Sequence, residues 1–550
     1  MPRETALLGW KTFILVFCLA LVLGSMYRFT DLGKKPMHTD EAILALKTQE
    51  FWRTNSFEYD PKDYHGPFLH EAARGIGRLR SLGPEDMNDR RLRCVVAVFG
   101  MAIVLLPLLF VDAIGRTGVA MAALLLAVSP MMTYYSRYYI MEVPFVFLTG
   151  LLLASVWRWT QSQNNAWLVL GGVCLGFMHA TKETFVINVA AMFAGAVAVW
   201  ITGNTFEPKS TRLEINPRRR RRVSWKSVLW LAVPAVVVSV WEFSNGFREW
   251  NGVRDSVLTY LNYLERSGGS GHEKSWTYYI TLLFWRKDGF VWTEAFIGSM
   301  AIVGIISLSF HQKLPRQMQA VQIFLAVYTV VLLAFYSLIP YKTPWSVLAV
   351  NFSFALLAGM GVRWLFVLLK PWGLRIVLLL MLTAGVYHLC QQTSLATDYK
   401  FPGQVRYSAD ARNPYVYSHT SPNLLKMADL VLELIKLTPE GNGTPIQVVQ
   451  AEYGWPLGWY WRDLRRVAYQ ASFPDKLTAP IVVVDMAEEE QARELLDRSS
   501  EANPPSPYIS SIYGLRPGMN IVLLVRGDLW QLYENAKQSR RDAGADQVTQ

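Results

Sequence analysis

Long apolar runs, rather than a regular alternation of apolar and polar positions, dominate roughly the first 390 positions of the chain. A run of about 18 or more apolar residues is long enough to cross the hydrocarbon layer of a membrane as a helix. The runs predict about eleven membrane spans. They lie at about 13–27, 92–111, 118–134, 143–159, 166–180, 184–201, 227–243, 290–310, 320–339, 345–362 and 376–391.

The pattern changes to that of a water-soluble domain after residue 391. Apolar positions at helical spacing predict helices at about 424–437 and 487–499, and short β-branched runs predict strands at 446–450, 481–485 and 521–526. Strands that alternate with helices are typical of a small α/β domain. The predicted fold class is therefore mainly α, with a polytopic helical domain at 1–392 and an α/β domain at 393–533. The polar tail at 534–550 is predicted to be disordered.

Composition and charge agree with a multi-pass membrane protein. Hydrophobic residues make up 52% of the 550 residues and charged residues only 18%, with a formal net charge of +11. Five consecutive arginines, Arg218 to Arg222, lie between two apolar runs. Such a block could bind nucleic acid, but beside membrane spans it favours a cytoplasmic loop and no nucleic-acid partner. Alternation then places the loops 28–91 and 244–289 and the α/β domain on the extracytoplasmic side.

An acidic pair, Asp40-Glu41, follows the first predicted span. Two neighbouring carboxylates can divide the work of catalysis, one deprotonating a hydroxyl while the other orients it or holds a cation. The same two residues would also suit the first turn of a helix over 42–52, because that turn favours negative charge. The spacing alone leaves both interpretations open.

Several charged residues lie at the predicted outer ends of other spans. Arg137 and Glu142 flank the short turn between the third and fourth spans, while Lys182 and Lys342 follow the fifth and ninth. An arginine fork can bind a phosphate, although an ion pair within an interfacial aromatic belt is the alternative. Each lysine could instead extend its ammonium to the membrane surface. Three cations on one predicted face favour an anionic ligand.

These features together resemble the GT-C class of membrane glycosyltransferases, in particular the dolichyl-phosphate-mannose protein mannosyltransferase and lipid A aminoarabinose transferase relatives. The resemblance rests on Asp40-Glu41, on His65-Gly66-Pro67, on Ser136-Arg137 with Glu142, and on Thr181-Lys182. The closest likeness is to the flippase-activity-associated family of predicted mannosyltransferase-like membrane proteins. It rests on the segments 341–345, 415–419 and 452–456. Glu142 departs from the wider class, in which an aspartate is usual.

The resemblance implies a polyprenyl-phosphate-sugar donor with its lipid tail in the membrane, and a glycan, lipid or protein acceptor. Asp40, with Glu41 beside it, would be catalytic, and the sugar would be transferred with inversion. The donor phosphate would bind to Arg137, Lys182 and Lys342. The residues assigned to the acceptor site or the cavity are Tyr64, His65, Glu142, Tyr453 and Trp455. The last two follow the predicted strand 446–450, where aromatic rings suit a sugar, although such rings could equally dock the domain on the membrane surface.

Two questions stay open at this stage. Some members of the class use a divalent metal ion at the acidic pair, and Glu41 and His65 would then be its ligands. The alternative to an enzyme is a non-catalytic accessory or transport protein that binds lipid-linked sugars. Such a carrier needs the cations and aromatic groups but not Asp40.

Overall fold

A computed structural model of the protein describes residues 8–61, 65–203, 224–266, 273–310, 316–499 and 507–548. The α-helices run as follows: α1 Trp10–Phe29, α2 Thr39–Thr54, α3 Phe68–Leu79, α4 Asp89–Leu105, α5 Val111–Val128, α6 Pro130–Tyr135, α7 Glu142–Ser162, α8 Ala166–His179, α9 Phe185–Ile201, α10 Trp225–Phe243, α11 Asn251–Arg266, α12 Tyr278–Phe284, α13 Ala295–Ile306, α14 Arg316–Leu338, α15 Leu348–Leu368, α16 Trp372–Ala396, α17 Asn423–Ile435, α18 Leu457–Tyr460, α19 Glu489–Ser499 and α20 Gly527–Val548. The strands are β1 Arg286–Asp288, β2 Phe290–Trp292, β3 Ile446–Val449, β4 Val467–Gln470, β5 Ile481–Asp485, β6 Tyr508–Arg516 and β7 Met519–Arg526.

The apolar runs form helices, as predicted, because a helix satisfies every backbone hydrogen bond within its own segment. In the described part of the chain, seven helical stretches are long and apolar enough to cross a membrane, and three apolar helices are shorter. Each predicted span contains a helix, so the prediction of a mainly helical, multi-pass membrane protein is confirmed. The number of spans stays a prediction, and the arginine block lies outside the described residues.

Helix α15 lies at the centre of the helical region and packs against both α5 and α13. Glycines make this close approach possible. A Cβ atom at Gly359 would lie 2.3 Å from the carbonyl oxygen of Gly118 on α5. A Cβ at Gly304 on α13 would lie 2.2 Å from the carbonyl oxygen of Leu357. Small residues at helix contacts are typical of membrane bundles, where close backbone packing replaces the hydrophobic effect as the source of attraction.

The C-terminal region contains a five-stranded sheet in the order β4-β3-β5-β7-β6. Strand β3 is parallel to β4 and β5, whereas β7 is antiparallel to β5 and β6. The sheet has apolar side chains on both faces. One face packs against α17 and α20, through residues that include Met427, Val431, Leu529, Val448 and Val483. The other face packs against α19, through residues that include Ala492, Leu496, Val449, Val482 and Val484. The predicted small α/β domain is confirmed.

The described chain divides into two compact units, and their boundary differs from the predicted division at residue 392. The first comprises Met1–Gly33, Lys47–Ser408 and Arg412–Tyr417, and the second Lys34–Leu46, Ala409–Ala411 and Ser418–Gln550. The short segment Lys34–Leu46 belongs to the α/β unit because backbone hydrogen bonds attach it there. The Met37 N–H donates to the Tyr460 hydroxyl at 2.7 Å, and the Thr420 hydroxyl donates to the Met37 carbonyl at 2.6 Å.

The tail, for which disorder is predicted, is instead helical as far as Val548. Helix α20 begins before the tail, and Leu529 in its first turns is buried in the core of the α/β unit. Trp530 and Tyr533 pack against the same core. These packed apolar residues start the helix, and the polar residues of the tail continue it. The polar composition of the tail alone does not indicate a helix.

Candidate functional site

The acidic pair lies in the first turn of α2, within the second unit. The His38 carbonyl accepts the first helical hydrogen bond, from Ala42 at 2.9 Å, so His38 is the residue that caps the helix. One carboxylate oxygen of Glu41 accepts from the His38 N–H at 3.1 Å. A glutamate at the third helical position that bonds back to the cap in this way stabilises a helix start. Glu41 is fully buried and makes the helix-start contact of the structural interpretation, while its catalytic role stays a prediction.

Asp40 differs from Glu41 because its carboxylate is partly exposed to solvent. Its side chain is 32% exposed, and one carboxylate oxygen lies 3.7 Å from Nδ1 of His38. The Asp40 N–H donates to that same Nδ1 at 3.0 Å, so the proton of a neutral His38 ring lies on Nε2. Burial lowers the pKa of His38, more than the neighbouring carboxylates raise it, and favours this neutral form. Asp40 is thus the more available of the two acids.

In the first unit, the predicted His-Gly-Pro segment packs against the Thr-Lys-Glu segment that follows α8. The Phe68 N–H donates to the Ala180 carbonyl at 3.1 Å. Nδ1 of His65 lies 2.7 Å from a carboxylate oxygen of Glu183, and the Tyr59 hydroxyl donates to the other oxygen at 3.3 Å. The loop 28–91 is therefore held against the end of the fifth predicted span by a histidine–carboxylate pair.

Gly66 allows this approach, which yields a first prediction. A Cβ atom at Gly66 would lie 2.3 Å from the Ala180 carbonyl oxygen, so Gly66→Ala must displace one of the two segments. We expect a loss of about 1–3 kcal/mol in stability, measured as a lower thermal midpoint. Gly75→Ala in α3 is the control, because nothing lies within 4 Å of its added methyl group. That change should be neutral or stabilising, since alanine favours a helix. Equal thermal midpoints for the two variants would contradict the packing described.

Lys182 and Glu142 form a second charged pair in the first unit. Lys182 Nζ lies 2.5 Å from a carboxylate oxygen of Glu142, and both side chains are about nine-tenths buried. Burial opposes the charge on Lys182, but the ion pair outweighs it and raises the pKa of the ammonium. Lys182, which is predicted to bind the donor phosphate, is thus in direct contact with Glu142, which is predicted to line the cavity.

Glu183 provides a pH-dependent prediction. Burial would raise its pKa, but the contact with His65 and the backbone and lysine contacts together lower the pKa from 4.5 to about 2. A carboxyl whose pKa is lower in the folded state contributes stability that is complete above the unfolded value and is lost as pH falls through the folded value. We therefore expect the difference in thermal midpoint between the parent and Glu183→Gln to shrink between about pH 4.5 and pH 2. A difference that stays constant across this range would contradict the assignment.

Arg137 and Lys342 are both engaged by backbone carbonyls. Nη1 of Arg137 donates to the carbonyls of Tyr27 at 2.8 Å and Thr30 at 2.6 Å, at the carboxyl end of α1. Burial lowers the pKa of Arg137 to about 10, so the guanidinium remains protonated at neutral pH. Lys342 donates to the Ile339 carbonyl. Among the described residues, Arg137 donates hydrogen bonds through Nη1 only, which leaves the other edge of its fork for a ligand.

The remaining predicted residues have different positions. Tyr453 and Trp455 lie in the second unit, in the loop after β3, where Tyr453 is exposed and Trp455 is half-buried. Tyr64 lies outside the described residues. Among the described residues, no group of three or more His, Cys, Asp and Glu side chains is arranged to hold a metal ion. Glu41 belongs to the second unit and His65 to the first, so their shared metal site stays a prediction.

Sequence reasoning did not single out Glu183 as a partner of His65, nor Tyr59 beside it. Glu183 was visible as the last residue of the Thr-Lys-Glu segment, but nothing in a sequence pairs it with a histidine 118 positions earlier. Arg516 is a further residue that the sequence pattern did not indicate. It lies at the end of β6 and contacts both Glu452 and Thr39, the residue before Asp40.

Comparisons with known proteins bear on this arrangement. The family model for dolichyl-phosphate-mannose-protein mannosyltransferases matches residues 77–247. A search of the curated proteins finds no matching sequence. The structure of ArnT from Cupriavidus metallidurans bound to undecaprenyl phosphate is similar in fold, with a TM-score of 0.62 and 15% identity over 95% of this chain and 99% of that chain.

The archaeal oligosaccharyltransferase AglB from Archaeoglobus fulgidus, in complex with an inhibitory peptide and a dolichol-phosphate, is also similar. Its TM-score is 0.51, with 14% identity over 95% of this chain and 77% of that chain. Identities this low establish the fold and not the activity. The chain therefore has a GT-C-like fold, and its residues 77–247 match the dolichyl-phosphate-mannose-protein mannosyltransferase model.

Proposed function

We propose that this protein is a membrane glycosyltransferase that moves a sugar from a polyprenyl-phosphate-linked donor to an extracytoplasmic acceptor. The observation that carries the proposal is the cluster of charged side chains in the first unit. Glu142 begins the apolar helix α7, Lys182 and Glu183 lie between the apolar helices α8 and α9, and His65 reaches Glu183 from the loop before α3. Charged groups at membrane depth are costly to keep, so their concentration in a GT-C fold supports a functional site.

The donor phosphate is assigned to Arg137, Lys182 and Lys342. A lipid-phosphate leaving group gains negative charge as the bond to the sugar breaks, and fixed cations in a water-poor site stabilise that charge. ArnT and AglB, which share the fold, are solved with undecaprenyl phosphate and dolichol-phosphate. These ligands support a long-chain polyprenyl phosphate as the carrier in this protein as well.

Asp40 is assigned the role of general base. Its carboxylate takes the proton of an acceptor hydroxyl while that oxygen forms a bond to the anomeric carbon. The bond between the anomeric carbon and the phosphate oxygen breaks on the opposite face, so the product has inverted configuration and the polyprenyl phosphate leaves as the anion. Glu41 holds the helix start that presents Asp40, through its bond to His38.

The proposed site faces the extracytoplasmic side. The assignment follows from the positive-inside rule, with Arg218 to Arg222 in a cytoplasmic loop and an odd number of predicted spans between that loop and the α/β unit. Labelling of single cysteines placed at Arg220 and at Asn442 in intact cells measures the arrangement. We expect labelling at Asn442 alone, and equal labelling at both positions would overturn the assignment.

Release of the lipid phosphate tests the proposed activity. Purified protein in lipid nanodiscs would be incubated with a panel of polyprenyl-phosphate sugars and candidate acceptors, with and without a chelator. Release of polyprenyl phosphate from at least one donor is the expected result. A non-catalytic carrier would bind the donors without turnover, and that result would reject the enzyme. Loss of release on chelation, restored by a divalent ion, would show that a metal takes part.

A further inference from the structure

The loop that follows β3 in the second unit has features that the proposed donor chemistry does not use. Strand β4 pairs with one edge of β3, and the next strand along the chain, β5, pairs with the opposite edge of β3. Since β3 is parallel to both neighbours, the carboxyl ends of β3 and β5 flank the point where the strand order reverses. Ligands of open α/β sheets bind at such a point.

Gln450 lies immediately after β3, and its buried side chain orders the loop that follows. Its side chain is fully buried, and its carbonyl oxygen accepts from the N–H groups of Glu452 at 2.7 Å and Gly454 at 3.0 Å. Its amide nitrogen makes no hydrogen bond of standard geometry among the described residues, but the Gln450 side chain acts on the Asp485 carboxylate and lowers the pKa that burial raises. Asp485 occupies the equivalent position at the end of β5, one step beyond the paired Val449 and Val484.

Tyr453 is presented outward by an unusual backbone. Both Tyr453 and Gly454 have positive φ, at 56° and 64°. A left-handed conformation is uncommon for a bulky residue and is retained where the surrounding structure enforces it, often at ligand sites. The Tyr453 side chain is 50% exposed, although the loop beneath it is fixed by the Tyr453 N–H bond to the Gln450 carbonyl at 2.7 Å.

Arg516 attaches this loop to the segment that contains Asp40. Its guanidinium forms an ion pair with Glu452 and donates to the Thr39 hydroxyl at 2.9 Å and to the Trp455 carbonyl at 3.4 Å. The Nε–H of Arg516 is buried and has no partner among the described residues. Within the second unit, the Arg516 side chain therefore connects the loop after β3 to Thr39, the residue before Asp40.

We propose that Gln450, Glu452, Tyr453, Asp485 and Arg516 form a binding site for an uncharged saccharide, which is the acceptor. This proposal rests on the proposed function and names the acceptor class of that reaction. An exposed tyrosine ring suits the apolar face of a pyranose ring, while amide and carboxylate groups accept and donate hydrogen bonds to its hydroxyls.

The charges at the site exclude an acidic ligand. The carboxylate of Asp485 lies close enough to those of Glu452 and Glu488 for electrostatic repulsion. Arg516 is already paired with Glu452. A phosphate or uronate group would be repelled by these carboxylates. A neutral hydroxyl-rich ligand is not repelled, and its hydroxyls can donate to the carboxylates of Glu452 and Asp485.

Direct binding measurements test the proposal on the full-length protein in lipid nanodiscs. Maltoside detergents are avoided because their headgroup is itself a neutral sugar. The probes are four neutral tetrasaccharides, made of mannose, of α-linked glucose, of β-linked glucose and of galactose. Tetragalacturonate, the acidic counterpart of the galactose probe, is the control. We expect at least one neutral probe to bind, measured by calorimetry and by saturation-transfer NMR, and tetragalacturonate not to bind.

Variants identify the residues responsible. Tyr453→Ala should weaken binding about tenfold or more, whereas Tyr453→Phe, which keeps the ring, should bind within about threefold of the parent. Asp485→Asn should weaken binding, and Asp497→Asn on the exposed face of α19 is its matched control. Absence of binding by every neutral probe, equal binding of tetragalacturonate, or unchanged binding by Tyr453→Ala would each overturn the proposal.

The two proposals fail in different ways. Neutral saccharides that bind through Tyr453, without release of lipid phosphate from any donor, would reject the enzyme and keep the saccharide site. Release of lipid phosphate that responds to an acceptor equally in the parent and in Tyr453→Ala would keep the enzyme and reject this site.

Discussion

We expect Asp40→Asn to lower the rate of lipid-phosphate release by about 10²-fold or more while leaving donor binding nearly unchanged. Asparagine keeps the size of the side chain but removes the oxygen that takes the proton. Asparagine also suits the start of a helix about as well as aspartate, so the fold of α2 should persist. The rate of release and the donor affinity, measured in the same nanodiscs, check both parts of the expectation.

The structure distinguishes Asp40 from Glu41 and so provides a comparison. Glu41 is buried and bonds to the His38 N–H, a role that glutamine also performs. Glu41→Gln should therefore reduce the rate much less than Asp40→Asn does. A larger loss in Glu41→Gln would favour Glu41 as the base or as a metal ligand. A rate for Asp40→Asn within a few-fold of the parent would remove Asp40 from the mechanism.

Elements with a strong local signal are the ones that the sequence predicts. Each long apolar run contains a helix, and the strands β3, β5 and β7 coincide with predicted β-branched runs. Within the five-stranded sheet, the two strands that the sequence does not indicate, β4 and β6, are the edges. An edge strand is covered on fewer sides, so its residues need not be apolar, and Ser510 and Ser511 in β6 illustrate this.

The charged pairs of the candidate site show the opposite case. The sequence places Glu142, Lys182 and Glu183 near the ends of spans and His65 in the loop 28–91, but it does not indicate which groups meet. His65 pairs with Glu183 because Gly66 lets the backbone approach Ala180, and this packing is a property of the tertiary structure. Contacts between residues so distant in the chain cannot be deduced from periodicity, which reports only local structure.

The second large effect is expected at the pair formed by Lys182 and Glu142. Lys182→Met leaves a buried carboxylate without its partner, which should destabilise the fold by about 3–5 kcal/mol. The half-exposed pair of Arg158 and Asp112, at 2.6 Å, is a matched control. Arg158→Met should cost no more than about 1 kcal/mol, because solvent screens exposed charges. Thermal midpoints of the two variants measure the difference.

The double variant Lys182→Met/Glu142→Gln separates the structural role of the pair from its proposed chemical role. With both charges removed, no uncompensated charge remains buried, so the thermal midpoint should recover most of its loss. The cation assigned to the departing lipid phosphate is still absent. We therefore expect the rate of release to stay about 10²-fold below that of the parent, as for the loss of one charge-stabilising group in an active site. Recovery of both stability and rate would show that Lys182 serves only to neutralise Glu142, and would leave Arg137 and Lys342 as the cations assigned to the donor phosphate.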